Sequence, residues 1–140
     1  MPGASGCGLG GVGAVDAAGR APRGVEADLR AGQSALWING ASLGARQELN
    51  NQTQAVHADA WATPEGVLSV VREDVGRHNA LDKVIGALAR SGNNPSGGFV
   101  VMTSRASFEL VQKCGVAGIA LLAAVSRPTG LAIRVAEQSN

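Results

Sequence analysis

The clearest hydrophobic pattern lies near the middle of the chain, between residues 67 and 90. Residues 67–71 form a short apolar, β-branched run of the kind found in strands. A polar stretch follows, and the next apolar residues have the i, i+3, i+4, i+7 spacing of one helical face: Leu81, Val84, Ile85 and Leu88. The pattern predicts a strand, a turn at Gly76 and a helix over residues 77–90.

The flanking segments predict further strands and helices. Residues 55–61 alternate in strand fashion, and residues 64–66 supply the turn of an antiparallel hairpin with residues 67–73. Later segments predict, in order, a strand at 98–103, a helix capped by Ser104 or Ser107 and ended by Gly115, a buried strand at 119–125, and a last helix at 130–138. Strands that alternate with helices imply parallel pairing through right-handed crossovers.

The first 35 residues differ in composition from the rest of the chain. Nine of the 20 glycines fall before Gln33, and no helical or strand periodicity is sustained there. Fixing many glycines costs conformational entropy, so we expect a mobile arm over residues 1–35 and a folded domain over residues 36–140. Within that domain, Asn39 and Gly40 form a strong turn dipeptide, and Ser42 is placed to cap a helix over residues 43–52.

Composition and charge exclude several classes of protein. Twelve basic and 11 acidic side chains leave a net charge of +1, which gives no nucleic-acid footprint and no polybasic membrane signal. No apolar run reaches the length of a transmembrane helix, and the N-terminus lacks the pattern of a secretory signal. The two cysteines, Cys7 and Cys114, do not indicate a disulfide scaffold. We therefore expect a cytoplasmic protein that binds neither nucleic acid nor membranes.

Hydrogen-bond donors and cations gather around two predicted helix starts. The first start offers Arg77, His78, Asn79 and Lys83, and the second offers Ser104, Arg105 and Ser107. Backbone N–H groups at a helix start lack intrahelical partners, so such a site suits phosphate or pyrophosphate. The alternative is structural: two ordinary capped helices with a solvated charged rim, in which the serines are caps and Arg105 is a surface ion-pair partner.

Long sequence blocks resemble the signatures of a known family. The block EDVGRHNALDKVIG at residues 73–86 is similar to the central signature of the formate dehydrogenase accessory sulfurtransferases, the FdhD family. The block TSRASFELVQK at residues 103–113 resembles the second signature, and GIALLAAVSRPTGLAIRVAE at residues 118–137 resembles its continuation. The resemblance implies an α/β protein with a cytidine-deaminase-like, three-layer α/β/α mixed sheet.

Zinc deaminases, which share that fold, provide a test of a rival function. They need a histidine and a glutamate at the first helix start and a P-C-x-x-C sequence at the second. Here His78 stands where the histidine belongs, but Ala80 stands where the glutamate belongs, and residues 103–107 contain no cysteine. Cys114 lies too deep in the predicted helix and has no CxxC partner. We therefore expect no zinc site and no deaminase activity.

The resemblance further implies sulfur transfer through Cys7. Members of the FdhD family carry a C-G-x-C-G loop, and the sequence CGLGG at residues 7–11 keeps the first cysteine and has Gly10 in place of the second. The implied role is a sulfur carrier, a sulfurtransferase, that accepts persulfide sulfur from a cysteine desulfurase. His57 matches a histidine of the family's T-G-x-x-H-A-A segment. Cys114, on the inward face of a predicted helix, is expected to be a core residue.

The sulfur acceptor implied by the family is the molybdenum bis-molybdopterin guanine dinucleotide cofactor, needed by formate dehydrogenase. Its pyrophosphates suit the donors at the two helix starts. Family members extend beyond this chain at both ends, which leaves open a fragment, a degenerate copy or half of a split protein, and uncovered apolar faces favour a homodimer. The alternative function is a non-catalytic module that binds a guanine nucleotide or the cofactor, or that docks on formate dehydrogenase.

Overall fold

The computed structural model describes residues 24–25 and 28–139, and for residues 37–41 the backbone alone. Most of the predicted arm, including Cys7, lies outside these residues. Within them, the helices are α1 (Gln33–Ala45), α2 (Glu48–Thr53), α3 (Arg77–Ser91), α4 (Phe108–Val116) and α5 (Gly130–Gln138). The strands are β1 (His57–Ala62), β2 (Leu68–Asp74), β3 (Phe99–Arg105) and β4 (Leu122–Ser126), and a 3₁₀ turn, Pro95–Gly97, precedes β3.

The four strands of the described residues form one mixed sheet in the order β2-β1-β3-β4. β1 pairs antiparallel with β2, which makes the predicted hairpin. β1 also pairs antiparallel with β3, and β3 pairs parallel with β4 across the α4 crossover. Both the hairpin and the parallel pairing in the second half of the chain are therefore confirmed.

Helices cover both faces of this sheet, and the predicted three-layer α/β/α arrangement is confirmed. On one face, α3 and α4 bury an apolar cluster that includes Trp61, Leu81, Leu88, Met102 and Leu110. On the other face, α1 packs onto a second cluster that includes Ala35, Leu43, Ala60, Phe99 and Val101. Burying each large apolar side chain contributes about 1.5–3 kcal/mol, so these clusters fix both helix layers on the sheet.

Strand β1 lies at the centre of the sheet, and its two faces differ in character. Five of its six residues are buried, because β2 and β3 flank it and helices cover both of its faces. Side chains alternate along a strand, so the face towards α1 carries three alanines. The face towards α3 and α4 carries His57, Asp59 and Trp61. A carboxyl group thus enters the apolar layer between the sheet and helices α3 and α4.

Helix α3 confirms the helix predicted over residues 77–90. Its buried side chains repeat with helical spacing and are Ala80, Leu81, Val84, Ala87 and Leu88. Gly92 follows the last helical residue, and its left-handed conformation (φ 69°) is one that glycine adopts without strain. At 15 residues α3 is the longest helix in the described part of the chain. None of the helices described there combines the length and the apolar character that a membrane span needs.

The segment before β1 differs from its prediction. Asn39 and Gly40 lie inside α1 rather than in a turn, and the single helix predicted over residues 43–52 is instead the end of α1 followed by α2. The turn preference of the Asn-Gly pair is overridden because α1 buries Leu43 completely against the sheet. α1 also begins at Gln33, inside the stretch predicted as the arm.

The end of α4 and the burial of β4 also differ from prediction. Gly115 lies within α4, and the left-handed residue that follows the helix is Gly118 (φ 77°). The strand predicted over residues 119–125 begins only at Leu122. It is half-buried to exposed rather than buried, because β4 pairs with β3 alone and forms an edge of the described sheet.

Candidate functional site

Two helices begin at the same edge of the sheet, the one formed by the carboxyl ends of β2 and β3. β2 and β3 both run antiparallel to β1, which lies between them, so they point in the same direction. α3 follows the end of β2 and α4 follows the end of β3, on the face that carries Trp61. In the first turns of the two helices, His78 Nε2 lies 4.0 Å from Glu109 Oε2. The structure thus brings both predicted helix starts together, with β1 beneath them.

Neither of these helix starts is capped by a side chain. Gly76 precedes α3 and has no side chain, and the hydroxyl of Ser107, which precedes α4, makes no capping hydrogen bond. The first N–H groups of an uncapped helix remain available to a ligand and carry the positive end of the helix dipole. The hydroxyl of Ser107 therefore does not act as a helix cap, which was the structural alternative for this residue.

Three polar atoms that can donate hydrogen bonds are buried at these helix starts and lack a hydrogen-bond partner among the described residues. Arg77 Nε, His78 Nε2 and Ser107 Oγ make no hydrogen bond to any described residue. Ser107 is only 8% exposed, and the side chain of His78 only 13%. Buried polar groups almost always have partners, so three neighbouring exceptions indicate a site built for an acceptor such as a phosphate oxygen.

His78 is an uncharged member of this group. Burial and the neighbouring Arg77 guanidinium hold the pKa of its imidazole below the ordinary value of 6.5, against the opposing effect of Glu109. The ring is therefore neutral at pH 7, and its Nε2 can either donate or accept one hydrogen bond. Positive charge at the site comes from Arg77 and from the two helix dipoles.

Asp74, the last residue of β2, organises the turn between β2 and α3. Its Oδ1 accepts hydrogen bonds from the backbone N–H of Gly76 (2.9 Å) and from the side-chain amide of Asn79 (3.2 Å). Its Oδ2 forms an ion pair with Lys83 Nζ at 2.6 Å. These contacts, that of Lys83 foremost, lower the pKa of Asp74 to about 2. Asn79 and Lys83, both predicted as ligands, are thus engaged in holding the start of α3.

Replacing Lys83 with alanine is expected to raise the pKa of Asp74 from about 2 towards 3.8, because the ion pair is the largest cause of the lowering. NMR titration of the Asp74 carboxyl measures this change. The matched control is Lys113→Ala, which removes the separate ion pair with Asp82 and should leave Asp74 unchanged. An Asp74 pKa that stays near 2 in Lys83→Ala would contradict this account of the turn.

The other predicted site residues have different surroundings. His57 is half-buried at the same sheet edge, where it pairs in register with the last residue of β2. The hydroxyl of Ser104 is buried, and its single hydrogen has two acceptors within reach in the same strand, Met102 Sδ (3.6 Å) and the Arg105 carbonyl oxygen (3.3 Å), so it is satisfied there. Arg105 itself is exposed at the end of β3. Cys7 lies outside the described residues, and its role stays a prediction.

The structure adds one residue that the sequence analysis missed, Asp59 in β1. It is 0% exposed, and neither carboxyl oxygen has a hydrogen-bond partner among the residues that the structure describes. Burial raises its pKa to about 8, so the carboxyl holds a proton at pH 7. The available signal was a single acidic residue inside the otherwise apolar run of residues 58–62. Burying an unpaired carboxyl in such a run costs folding free energy, which marks Asp59 as a candidate site residue.

Cys114 is a core residue, as predicted from its place on α4. It is 3% exposed and belongs to the apolar cluster beneath α3 and α4. Burial, together with the nearby charge of Asp59, raises the pKa of its thiol to about 12. Because the thiolate is the nucleophile in thiol chemistry, Cys114 is a poor candidate for sulfur transfer.

The donors at the helix starts suit an anion rather than a metal cation. A guanidinium, a hydroxyl and backbone N–H groups all present hydrogen atoms to a ligand, whereas a cation needs oxygen, nitrogen or sulfur lone pairs. Within the described ranges, no group of three or more His, Cys, Asp or Glu side chains is placed to hold a metal ion. The expected lack of a zinc site stays a prediction from the sequence.

Known proteins similar to this chain identify its family. The family model described as FdhD/NarQ matches residues 2–140. This chain belongs to the FdhD/NarQ family. A relative from Bordetella petrii is 50% identical over 100% of this chain and 50% of its own length. Another, from Xanthomonas axonopodis pv. citri, is 51% identical over 99% of this chain and 50% of its own length. Both are named sulfur carrier protein FdhD.

A solved structure is similar to this FdhD/NarQ chain in fold as well as in sequence. It is the crystal structure of a protein from Desulfotalea psychrophila, assigned as a formate dehydrogenase accessory protein, with a TM-score of 0.77 and 28% identity. The match covers 86% of this chain and 51% of that one. The chain therefore spans about half the length of the curated relatives and of the solved structure that it matches. The family resemblance of residues 73–86 and 103–113 is confirmed.

Proposed function

We propose that this FdhD/NarQ chain is a sulfur carrier that acts as a sulfurtransferase in the service of formate dehydrogenase. The names of its relatives and of the similar solved structure support this role. The observation that carries the proposal is a set of three buried polar atoms without hydrogen-bond partners at two uncapped helix starts, on Arg77, His78 and Ser107. A sulfur carrier has to hold the molecule that receives the sulfur, and these groups form a site for an anionic one.

The proposed substrate at this site is the molybdenum bis-molybdopterin guanine dinucleotide, held through a pyrophosphate. A pyrophosphate presents several charged oxygens, which the Arg77 guanidinium, the Ser107 hydroxyl and the helix N–H groups can approach as donors. His78 adds a neutral ring that donates from Nε2. Hydrogen bonds to charged groups contribute about 1.5–3 kcal/mol each, so a few of them suffice for micromolar binding.

Sulfur loading is proposed to begin when the thiolate of Cys7 attacks the terminal sulfur of a persulfide on a cysteine desulfurase. A new S–S bond forms between Cys7 and that sulfur, the S–S bond of the desulfurase breaks, and the desulfurase cysteine leaves as a thiolate. Cys7 then carries the persulfide. An ordinary thiol pKa near ~8.5 leaves only a few per cent thiolate at pH 7, so a cation close to Cys7 in the complex would speed this step.

Delivery of the sulfur as sulfide needs two electrons, which we assign to a second thiol. That thiol, as its thiolate, attacks the Cys7 sulfur, hydrosulfide leaves towards the cofactor, and Cys7 remains in a disulfide. Because Gly10 stands where the family's loop has its second cysteine, we assign the second thiol to a group outside residues 1–140. Cys114 does not serve, since it is 3% exposed and the pKa of its thiol is about 12.

The partners that follow from this proposal are a cysteine desulfurase as sulfur donor and formate dehydrogenase as the destination of the cofactor, both in the cytoplasm. A homodimer is also proposed. Val75, Val116 and Val125 are 75%, 84% and 62% exposed, which leaves apolar surface available for contacts between copies or with partners. Light scattering that shows a monomer at all concentrations would contradict the homodimer.

A second candidate function is a non-catalytic module that binds a guanine nucleotide or the cofactor, or that docks on formate dehydrogenase. The observation that favours it is that Arg77, His78 and Ser107, the residues of the proposed anion site, all lie in the described part of the chain. The two functions differ in one requirement. A sulfur carrier needs Cys7, whereas a binding module tolerates Cys7→Ser.

Substituting Arg77 by alanine is expected to weaken binding of guanosine diphosphate by about 10- to 100-fold. The reason is the loss of one charge-assisted contact, which is worth about 1.5–3 kcal/mol. Titration calorimetry measures the affinity. The matched control is Arg90→Ala, which removes an exposed arginine from the last turn of the same helix, about 20 Å away, and should leave the affinity unchanged. Equal affinities for wild type and Arg77→Ala would overturn the phosphate assignment.

A further inference from the structure

Asp59 lies beneath the two helix starts. Its partners across the sheet are Arg72 on β2 and Met102 on β3. It shares with Trp61 the face that α3 and α4 cover, because side chains alternate along β1. It is two residues from His57, at the edge of the sheet where both helices begin. Asp59 is also close enough to Cys114 on α4 for its charge to affect that thiol.

Asp59 is the fourth residue here with buried polar atoms that lack a hydrogen-bond partner among the described residues. Both oxygens of its carboxyl lack a hydrogen bond from any described residue, as do Arg77 Nε, His78 Nε2 and Ser107 Oγ on the helices above. Asp59 offers the acceptors, and the other three can offer donors. An anion at the helix starts and the carboxyl of Asp59 are therefore alternative acceptors for these three donors.

The surroundings of Asp59 contain other groups that carry or can take up charge. Arg72 lies opposite Asp59 across the sheet, and Cys114 is close enough for Asp59 to affect its pKa. The others, at the ends of the neighbouring strands and helices, are His57, Arg77, His78 and Glu109. Arg72, opposite Asp59 in register, is exposed and donates from Nη1 to the Val71 carbonyl oxygen at 2.7 Å, so it does not neutralise the carboxyl. The pKa of His78 is below 6.5 and that of Cys114 is about 12, so neither changes charge between pH 7 and pH 9.

We propose that Asp59 is a positioning residue that couples anion binding at the two helix starts to the binding of a proton. With its proton, the carboxyl leaves Arg77, His78 and Ser107 free to donate to phosphate oxygens. Without its proton, the carboxylate accepts from these same donors and also repels the phosphate through a medium of low dielectric. This inference rests on the proposed anion site and adds a pH dependence to it.

The size of the coupling follows from the protonation of Asp59. Its pKa of about 8 means that the carboxyl is about 90% protonated at pH 7 and about 10% protonated at pH 9. If only the protonated form binds the anion, the apparent affinity scales with that fraction. The affinity of the wild-type protein for guanosine diphosphate is therefore expected to fall by about tenfold from pH 7 to pH 9.

The experiment is titration calorimetry of guanosine diphosphate with the full chain at pH 7, 8 and 9. The wild type is compared with Asp59→Asn, which keeps the shape and stays neutral, and with Asp59→Ala, which removes the carboxyl. Because the nucleotide is the same in every titration, its own protonation cancels in the ratio of wild-type to variant affinity. We expect the wild type and the variants to bind with nearly equal affinity at pH 7. At pH 9 we expect the wild type to bind about tenfold more weakly than the variants.

The outcomes separate this inference from the proposed function. Wild-type and Asp59→Asn affinities that run parallel from pH 7 to pH 9 would overturn the coupling and leave the anion site in place. Loss of binding in Asp59→Asn at pH 7, with the protein folded, would likewise overturn it, because a neutral side chain is expected to be sufficient. No binding by the wild type at pH 7 would overturn the anion site itself and the coupling with it.

Discussion

The free energy of unfolding of the wild-type protein is expected to fall by roughly 5 kcal/mol as the pH rises from about 4 to about 8, through Asp59 alone. The pKa of this carboxyl is raised from 3.8 to about 8 in the folded protein, because burial disfavours the charged form. A shift of about four units at 1.36 kcal/mol per unit gives that magnitude. Between these pH values the folded state binds the proton and the unfolded state does not, so stability is lost with rising pH.

Asp59→Ala is expected to remove this loss, so that the stability gained by the variant over wild type grows with pH and levels off above about pH 8. Denaturant unfolding at pH 5, 7 and 9 measures the difference. His78, whose pKa is lowered, has the opposite effect on the pH profile, but it is present in both proteins and cancels in the comparison. A variant whose stability stays parallel to that of the wild type would show that Asp59 is solvated or paired in solution.

The sequence was sufficient for elements whose local pattern and tertiary surroundings agree. The hairpin, α3 and α5 were predicted because alternation, helical spacing and turn residues all favoured what the fold requires. The turn predicted at Asn39 and Gly40 was wrong because burial of α1 outweighs a local preference. The prediction that β4 is buried was wrong because an apolar run does not reveal whether a strand has one neighbour or two.

The candidate site was predicted in part, and the missing part depends on contacts between distant segments. Arg77, His78 and Ser107 stand out in the sequence as polar residues at helix starts. That Lys83 is engaged by Asp74 depends on how the turn before α3 folds, which spacing alone does not give. The importance of Asp59 depends on β1 being the central strand, and its place in the sheet is set by pairing with β3, about 40 residues away.

Cys7→Ser is expected to abolish sulfur loading completely and to leave the affinity for guanosine diphosphate unchanged. The hydroxyl of serine does not form a persulfide, so no residual transfer is expected from that position. The described domain does not compensate, because Cys114 is buried and the pKa of its thiol is about 12. Unchanged nucleotide affinity would show that the variant is folded and that its defect is one of sulfur chemistry.

The most direct test of the sulfur-carrier proposal is the intact mass of the protein after incubation with a cysteine desulfurase and free cysteine. We predict that the wild type gains one sulfur atom that reduction removes, that Cys7→Ser gains none, and that Cys114→Ala gains as much as the wild type. No gain by folded wild-type protein, or an equal gain by Cys7→Ser, would contradict sulfur transfer through Cys7. The first of these results would favour the binding module instead.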